Sequence, residues 1–442
     1  MPRGQCLPDL RRIVRGNDSL IVDRDAIFLW ISSNRPHSCV PPGITLDKSC
    51  PVNCVGINPA SESAWKGMTI MKAVANFPSP GELRVIDAPE PELAGDTDVL
   101  VKTLAVGLCG TDREIASQNY GRPPDGQDHW IIGHECLGEV VEVGSKVSRL
   151  KAGQLVVPRV RRPCPVQTCK PCRMGRPDFC LTGQFTERGI VGANGFMCEK
   201  FVDHEQYFHV VPENSREFGV LTEPLTIAMK GMIQTRAVLE RLPYIDREAI
   251  AQGKLEGMTA LVLGAGPVGL LGALAFLNAG AQTYVYSREE APNPASNILE
   301  QAGGKYVSSA DVSADQLTEM TGNVDIIYEA TGASKFAFDM EALLGRNGVY
   351  VLTGVPGRKG PVPVSIDEIM RNMVLKNQLM VGVVNAGAPA FEAAVHTLEE
   401  LNRRWHGIPL EFITETLKPE DVPGALIGQK AANNIKQIVK FA

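Results

Sequence analysis

Cys164, Cys169, Cys172 and Cys180 are separated by four, two and seven residues. Four thiolates in one loop can close a tetrahedral zinc shell with no open position, the form of a structural site. Zinc ribbons instead carry two close pairs around a longer insert, so the cluster is not of that type. Upstream lie Cys109-Gly110-Thr111-Asp112 and Gly133-His134-Glu135, and Glu223-Pro224 follows later. Thiolate, imidazole and carboxylate can hold zinc while leaving one position for water or substrate, which Lewis-acid catalysis needs. Residue type alone leaves a second reading open: His134 as a hydrogen-bonded core histidine, and Cys109 as a small buried hydrophobe.

A third set could hold phosphate. Gly264, Gly266, Pro267, Val268 and Gly269 follow a short apolar strand at 259–263 and open a helix expected over 268–279. The first glycine permits the tight turn, the second lets backbone approach a pyrophosphate, and the third lets helix and strand pack closely. The next strand, 283–286, leads into Ser287-Arg288, where an NAD-specific site would place Asp or Glu. A hydroxyl and a guanidinium suit a 2′-phosphate, so NADP is favoured without excluding NAD. Glu289 and Glu290 follow at once, and either oppose that phosphate or face solvent.

The elements that must position these groups fall into two textures. Short alternating strands are predicted at 71–77, 83–87, 98–106, 138–143 and 155–157. From about residue 219, strands alternate with helices: strands at 259–263, 283–286, 324–328 and 349–353, helices at 268–279 and 295–302. That alternation predicts a parallel, doubly wound sheet and an α/β fold. Residues 1–70 differ from both, with seven prolines, four cysteines (Cys6, Cys39, Cys50, Cys54) and a net charge of +2, against -8 for the remainder. They show no sustained period and are expected to be disordered or a mis-assigned start; Cys50 and Cys54 with Cys39 and His37 match no common zinc module.

Composition narrows the function classes. The 442 residues carry a net charge of -6, 44% hydrophobic residues and 11 cysteines. A mildly acidic chain is a poor polyanion binder, so no nucleic-acid partner is expected, despite Arg159, Arg161, Arg162, Lys170, Arg173 and Arg176 around the cysteine cluster. No run approaches the roughly 20 apolar residues of a membrane span. The odd cysteine count and the lack of a secretory h-region point to the cytoplasm.

Taken together, Cys109-Gly-Thr-Asp, Gly133-His134-Glu135, the four-cysteine lobe, Gly195-Phe196-Met197, Glu223-Pro224-Leu225, Gly264 to Gly269 and Val383-Val384-Asn385 resemble the zinc-dependent medium-chain dehydrogenases, most closely their microbial glucose 1-dehydrogenase branch. The resemblance spans 71–442. It implies a GroES-like β-barrel catalytic domain at 71–225 with a zinc lobe at 164–180, a Rossmann NADP-binding domain at 226–386, and a segment at 387–442 completing the catalytic domain. It implies catalytic zinc on Cys109, His134 and Glu135, with Glu223 a ligand or substrate contact. Thr111 would contact a sugar and relay its proton, and Glu187 and Asn385 would hold sugar hydroxyls. Thr353, Gly354, Val355, Val383, Val384 and Asn385 would line the nicotinamide, and Lys436 would reach the cofactor. The implied reaction is oxidation of glucose or galactose at C1 by a homodimer or homotetramer. Alternatives are a polyol, secondary-alcohol or threonine dehydrogenase of the same superfamily, or a catalytically silent NADP-binding protein. Three departures from the pattern that the resemblance implies bear on the sugar: Val160 stands where some glucose enzymes carry Asn, Ile227 at an Asp position and Leu375 at a His position.

Overall fold

The computed structural model describes residues 69–357, 360–428 and 433–441. The readings of Cys6, His37, Cys39, Cys50 and Cys54 concern residues outside these. Alternating burial builds two largely antiparallel sheets, mainly from the first half of the chain, with one parallel pair, Ile413–Leu417 on Lys436–Val439, in the larger. Ile70–Phe77 pairs with Glu82–Pro89 across a tight turn, and on its other side with Trp130–Ile131. The larger sheet runs Phe208–Val211, Leu155–Pro158, Glu135–Val143, Asp98–Gly107, Lys436–Val439 and Ile413–Leu417, with Lys200–His204 also on Asp98–Gly107. Inward residues of the two sheets, among them Val74, Val101, Val106, Trp130 and Phe201, share one core with Phe196 of the connecting loop. The last strand of the chain therefore lies beside the third, with Ile438 opposite Gly107.

The second half holds a six-stranded parallel sheet in the order Lys305–Ser308, Gln282–Ser287, Thr259–Leu263, Val324–Glu329, Leu344–Leu352, Leu379–Gly382. Thr259–Leu263 is buried at every residue, so it reads as a continuous apolar run and not as an alternation. Strand order reverses at this strand, which opens a crevice at the carboxyl ends, where dinucleotides bind in such sheets. Lys305–Ser308 and Leu379–Gly382 were not expected. Each is a four-residue edge strand with partly exposed side chains, too short to show a period. The helices expected over 268–279 and 295–302 begin and end one residue earlier, as Pro267–Asn278 and Pro294–Gln301. Proline has its φ preset for the first helical position, which accounts for both starts.

Thr222–Leu239 and Ala388–Arg404 pack on each other and on Pro267–Asn278, and the chain rejoins the larger sheet at Ile413–Leu417. Among the described residues no helix is long and apolar enough to cross a membrane.

One half-buried group predicts the acid limb of stability. His209 stacks on Phe391 of Ala388–Arg404 at 5.2 Å between ring centroids. Burial, then Arg159 and Arg149, push its pKa down to about 4. An unfolded imidazole takes up its proton at higher pH than this one. The stabilising effect is therefore complete above about pH 6.5 and is lost as pH falls towards 4, by at most about 1.4 kcal/mol per pH unit. His209→Gln is expected to flatten that limb, read by urea unfolding between pH 7 and 4.5; curves that stay parallel to wild type would refute the assignment.

Candidate functional site

Gly107 ends one strand opposite Glu135, which starts its neighbour, and Cys109 caps the helix Gly110–Ala116 directly afterwards. His134 precedes Glu135. These joints bring ligand atoms of Cys109, His134 and Glu135 within 4.8 Å of one another. Asp112, which the sequence reading gave no role, sits at the third helical position. Its Oδ2 accepts from the Cys109 backbone N–H at 2.9 Å, and its Oδ1 lies 3.4 Å from His134 Nδ1. The second distance is too loose for a good hydrogen bond. It still turns Nδ1 towards a carboxylate and leaves Nε2 as the ring's donor to a metal. Burial pushes the His134 pKa down, but Asp112 and Cys109 push it up more strongly, to well above the ordinary value. One sulfur, one nitrogen and one oxygen from three residues fit a zinc ion with a position left open.

Two further charged groups face this trio. Glu223 lies in the first turn of Thr222–Leu239, and burial pushes its pKa up to about 7, with His134 and Lys436 opposing and Glu135 and Asp112 adding. Lys436, 2% exposed, arrives on the last strand; its ammonium pairs with Glu135 and donates to the Leu108 carbonyl at 2.9 Å. Gly107 makes room for that meeting, since a Cβ there would clash with the Glu135 carboxylate and lie 2.8 Å from Lys436 Cε. The resemblance implied a cofactor contact for Lys436, and the structure puts its ammonium on the Glu135 carboxylate. Thr111 Oγ1 is 3.8 Å from Cys109 Sγ.

A polar network adjoins the trio. Arg161 lies opposite Glu187 in a short antiparallel ladder and donates to its Oε1 from Nε at 2.9 Å, with Nη2 also 2.9 Å from that oxygen. Asn385 Nδ2 donates to the same oxygen at 2.8 Å. The turn after Glu187 packs on the residue before His134, where a Cβ on Gly189 would meet the Gly133 backbone. Tyr120, also missed in the sequence, is near both: burial and then Glu187 raise its pKa, with Arg161 and His134 opposing.

The ligand atoms of Cys164, Cys169, Cys172 and Cys180 likewise lie within 4.8 Å of one another, and three of the four residues are buried. The four sulfurs fit one tetrahedral zinc. Most of the basic residues around them have internal partners. Arg173 donates to the Cys164 carbonyl, Arg176 to Asp178, Arg161 to Glu187 and Arg162 to Asp203, while Arg159 and Arg162 lie over Tyr207.

At the sheet crevice Gly264 takes a φ of +99°, and Gly266 caps Pro267–Asn278. A Cβ on Gly266 would meet no atom within 4 Å, so the backbone faces open space at a helix N-terminus, a cradle that fits a pyrophosphate. Gly269 packs against Gly264 and Val268 against the core. Thr353 Oγ1 donates to the Glu329 carbonyl at 2.6 Å, and Gly354 N–H to the Glu329 carboxylate at 3.2 Å. Val355 and Val384 are exposed and Val383 is buried.

The alcohol dehydrogenase GroES-like domain model matches residues 95–213, and the glucose dehydrogenase C-terminus model matches 216–441. A glucose 1-dehydrogenase from Methanocella arvoryzae is 36% identical over 372 residues, 84% of this chain and 99% of that protein. The chain belongs to the zinc-dependent medium-chain dehydrogenases, in their glucose dehydrogenase-like branch. Glucose 1-dehydrogenase from Thermoproteus tenax is 36% identical over 352 residues, 79% of this chain and 94% of that one. Glucose dehydrogenase from Haloferax mediterranei, solved with NADP, Zn and gluconolactone, is 32% identical with a TM-score of 0.74, covering 84% of this chain and 99% of its own. This dehydrogenase is thus a zinc-dependent oxidoreductase acting on CH–OH groups. Of the three positions at which the sequence reading expected departures, Val160 is buried in the barrel core and Leu375 is 59% exposed at the end of Ile366–Leu375.

In this dehydrogenase the strand that would meet the adenosine ribose ends in a small charged cluster. Ser287 Oγ donates to Glu289 Oε2 at 2.5 Å. Arg288 is 92% exposed, with Nη2 3.9 Å from Glu289 Oε1. The Glu289 carbonyl accepts from Tyr306 at 2.9 Å, which anchors the turn.

Proposed function

We propose that the chain oxidises an aldopyranose, glucose or galactose, at C1 to the aldonolactone with NADP as electron acceptor. The observation that carries this reading is the proximity of the Cys109, His134 and Glu135 trio to the Arg161, Glu187 and Asn385 network: Tyr120 feels the charges of both Glu187 and His134, and Gly189 packs on the Gly133 backbone. A simple alcohol gives the buried Asn385 Oδ1 no partner, and leaving it unpaired is costly. The gluconolactone, NADP and Zn named for the Haloferax mediterranei enzyme support it.

Bound zinc would lend Lewis acidity to the anomeric hydroxyl, and bound NADP would accept the electron pair of the C1–H bond as hydride. Cys109, His134 and Glu135 would hold the metal, with Lys436 fixing the second carboxylate oxygen and Glu223 acting as ligand or substrate contact. As the C1–H bond breaks and C1=O forms, the hydroxyl proton would pass to Thr111 and on towards solvent. Glu187 would accept from sugar hydroxyls. So would Asn385 Oδ1, which is buried without a hydrogen-bond partner among the described residues. Cys164, Cys169, Cys172 and Cys180 would hold the structural zinc.

Initial rates for zinc-loaded protein on aldoses, polyols, secondary alcohols and threonine, each with NADP and NAD, test the reading. Reduction of NADP with glucose or galactose above all other substrates is expected. Flat rates on every aldose would remove it.

Gly264, Gly266, Pro267, Val268 and Gly269 would receive the pyrophosphate, Thr353, Gly354, Val355, Val383 and Val384 the nicotinamide, and Ser287 and Arg288 the 2′-phosphate. Glu289 engages both of the last pair and adds a like charge to any phosphate placed there. It can also accept from the 2′-hydroxyl of NAD. Glu289→Gln is expected to tighten NADP relative to NAD by about tenfold, on the order of 1.4 kcal/mol. Fluorescence titration of both cofactors reads this directly, and an unchanged ratio would mean that Glu289 does not face the ribose.

A further inference from the structure

Lys230 is buried in the middle of Thr222–Leu239, its side chain 6% exposed. It lies seven residues beyond Glu223, so both project from one face of the helix. Its ammonium donates to the Val384 carbonyl at 2.9 Å, lies 3.1 Å from Asp178 Oδ2 and 3.5 Å from the Asp178 carbonyl, and sits 4.5 Å from the centre of the Phe179 ring. Three acceptors match the three donors of an ammonium. Asp178, itself fully buried, also takes a two-point bond from Arg176 at 3.0 and 2.8 Å. A buried ion pair is weak evidence for stability, because apolar residues of similar volume often do as well. What such a pair can supply is one particular arrangement of the segments that it joins.

Those segments are informative. Asp178 lies two residues before Cys180, at the end of the four-cysteine lobe. Val384 directly precedes Asn385. On the other side of Asn385, a Cβ on Gly387 would come 2.5 Å from Asp178 Oδ1 and 3.1 Å from Arg176 Nε, so this stretch of backbone lies against the same carboxylate. Asn385 is therefore held on both flanks by the Lys230–Asp178 pair. Its φ of +53° is the left-handed conformation, which asparagine adopts more readily than other non-glycine residues, so the flanking contacts and not backbone strain fix where its side chain lies. In that conformation Nδ2 reaches Glu187 at 2.8 Å.

We infer that Lys230 is a positioning residue: with Asp178 it clamps the segment 384–387 against the end of the cysteine lobe, holds Asn385 in its left-handed conformation, and thereby sets affinity for a polyhydroxylated substrate. It touches none of the reacting atoms. This inference rests on the proposed aldose reading, and the experiment separates the two.

Zinc-loaded wild type, Lys230→Met, Asn385→Ala and the double variant are compared in aldose oxidation with saturating NADP. Lys230→Met should raise the aldose KM about tenfold and leave kcat within about threefold, because the metal trio is untouched. The double variant should have the KM of Asn385→Ala alone, since both changes remove one function. Lys230→Gln, which keeps a donor in a similar volume, should recover part of the affinity, and it carries the same comparison should Lys230→Met fail to fold. Additive effects on KM, an unchanged KM, or a fall in kcat without a rise in KM would overturn the inference. Wild type that oxidises no aldose would overturn the functional reading instead.

Discussion

His134→Ala is expected to lower kcat/KM for aldose oxidation by at least about a thousandfold, roughly 4 kcal/mol of transition-state stabilisation. The imidazole is the only nitrogen donor in the trio and is held between Asp112 and Cys109. A thiolate and a carboxylate alone form a poor zinc site, and the carboxylate is already paired with Lys436. Metal analysis should show loss of the zinc of this site with that of the cysteine lobe retained, because the two clusters share no residue. The fold should survive, since Asp112 keeps its bond to the Cys109 backbone at 2.9 Å. Retained aldose activity in a folded variant would rule out the trio as the catalytic centre. Loss of activity with full metal content would assign His134 a different role.

What was legible in the sequence follows from how local each signal is. The glycine turn lies between a strand and a helix that adjoin it, so its geometry is set by neighbours in the chain. The four cysteines lie between residues 164 and 180, and bringing them together needs only one loop. The meeting of Cys109 with His134 and Glu135 depends on two strands pairing so that Gly107 falls opposite Glu135. Residue types suggested that meeting without being able to place it. Asp112 left a readable trace, a carboxylate three residues after the helix cap, where side chains commonly bond back to the backbone.

The remainder depended on distant pairings. Lys436 meets Leu108 across 328 residues, when the last strand of the chain joins the barrel sheet. Nothing near position 436 announces a buried ammonium. Arg161 and Glu187 belong to strands of two and three residues, below the length at which periodicity says anything. In the sequence Arg161 looked like part of a basic patch. From residue types alone, Ser287 and Arg288 suit an anion. The turn of Glu289 back onto Ser287 was not legible, because a carboxylate two residues on can equally face solvent.

The Arg161–Glu187 pair carries the largest expected effect on stability. Both side chains are below 10% exposure, and Arg161 also stacks on Phe185 with its guanidinium carbon 3.7 Å from the ring centre. Glu187→Ala removes the acceptor for the Arg161 Nε–H and for the Asn385 amide, leaving a buried cation unpaired. Breaking a buried pair from one side costs about 3–5 kcal/mol, more than the pair adds over an apolar replacement. Urea unfolding of Glu187→Ala should therefore show a fall in that range. Glu187→Gln should lose less, because an amide oxygen can still accept from Asn385. Activity should separate along the same line. Glu187→Ala removes a sugar contact and the anchor of Asn385 together, so kcat/KM should fall by on the order of a hundredfold or more, mostly through KM. A double variant, Arg161→Met with Glu187→Leu, should regain stability without regaining aldose affinity, because it restores burial without an acceptor. If Glu187→Ala unfolds within about 0.5 kcal/mol of wild type, the pair is not buried as described. If the apolar double variant oxidises glucose normally, Glu187 is not a substrate contact.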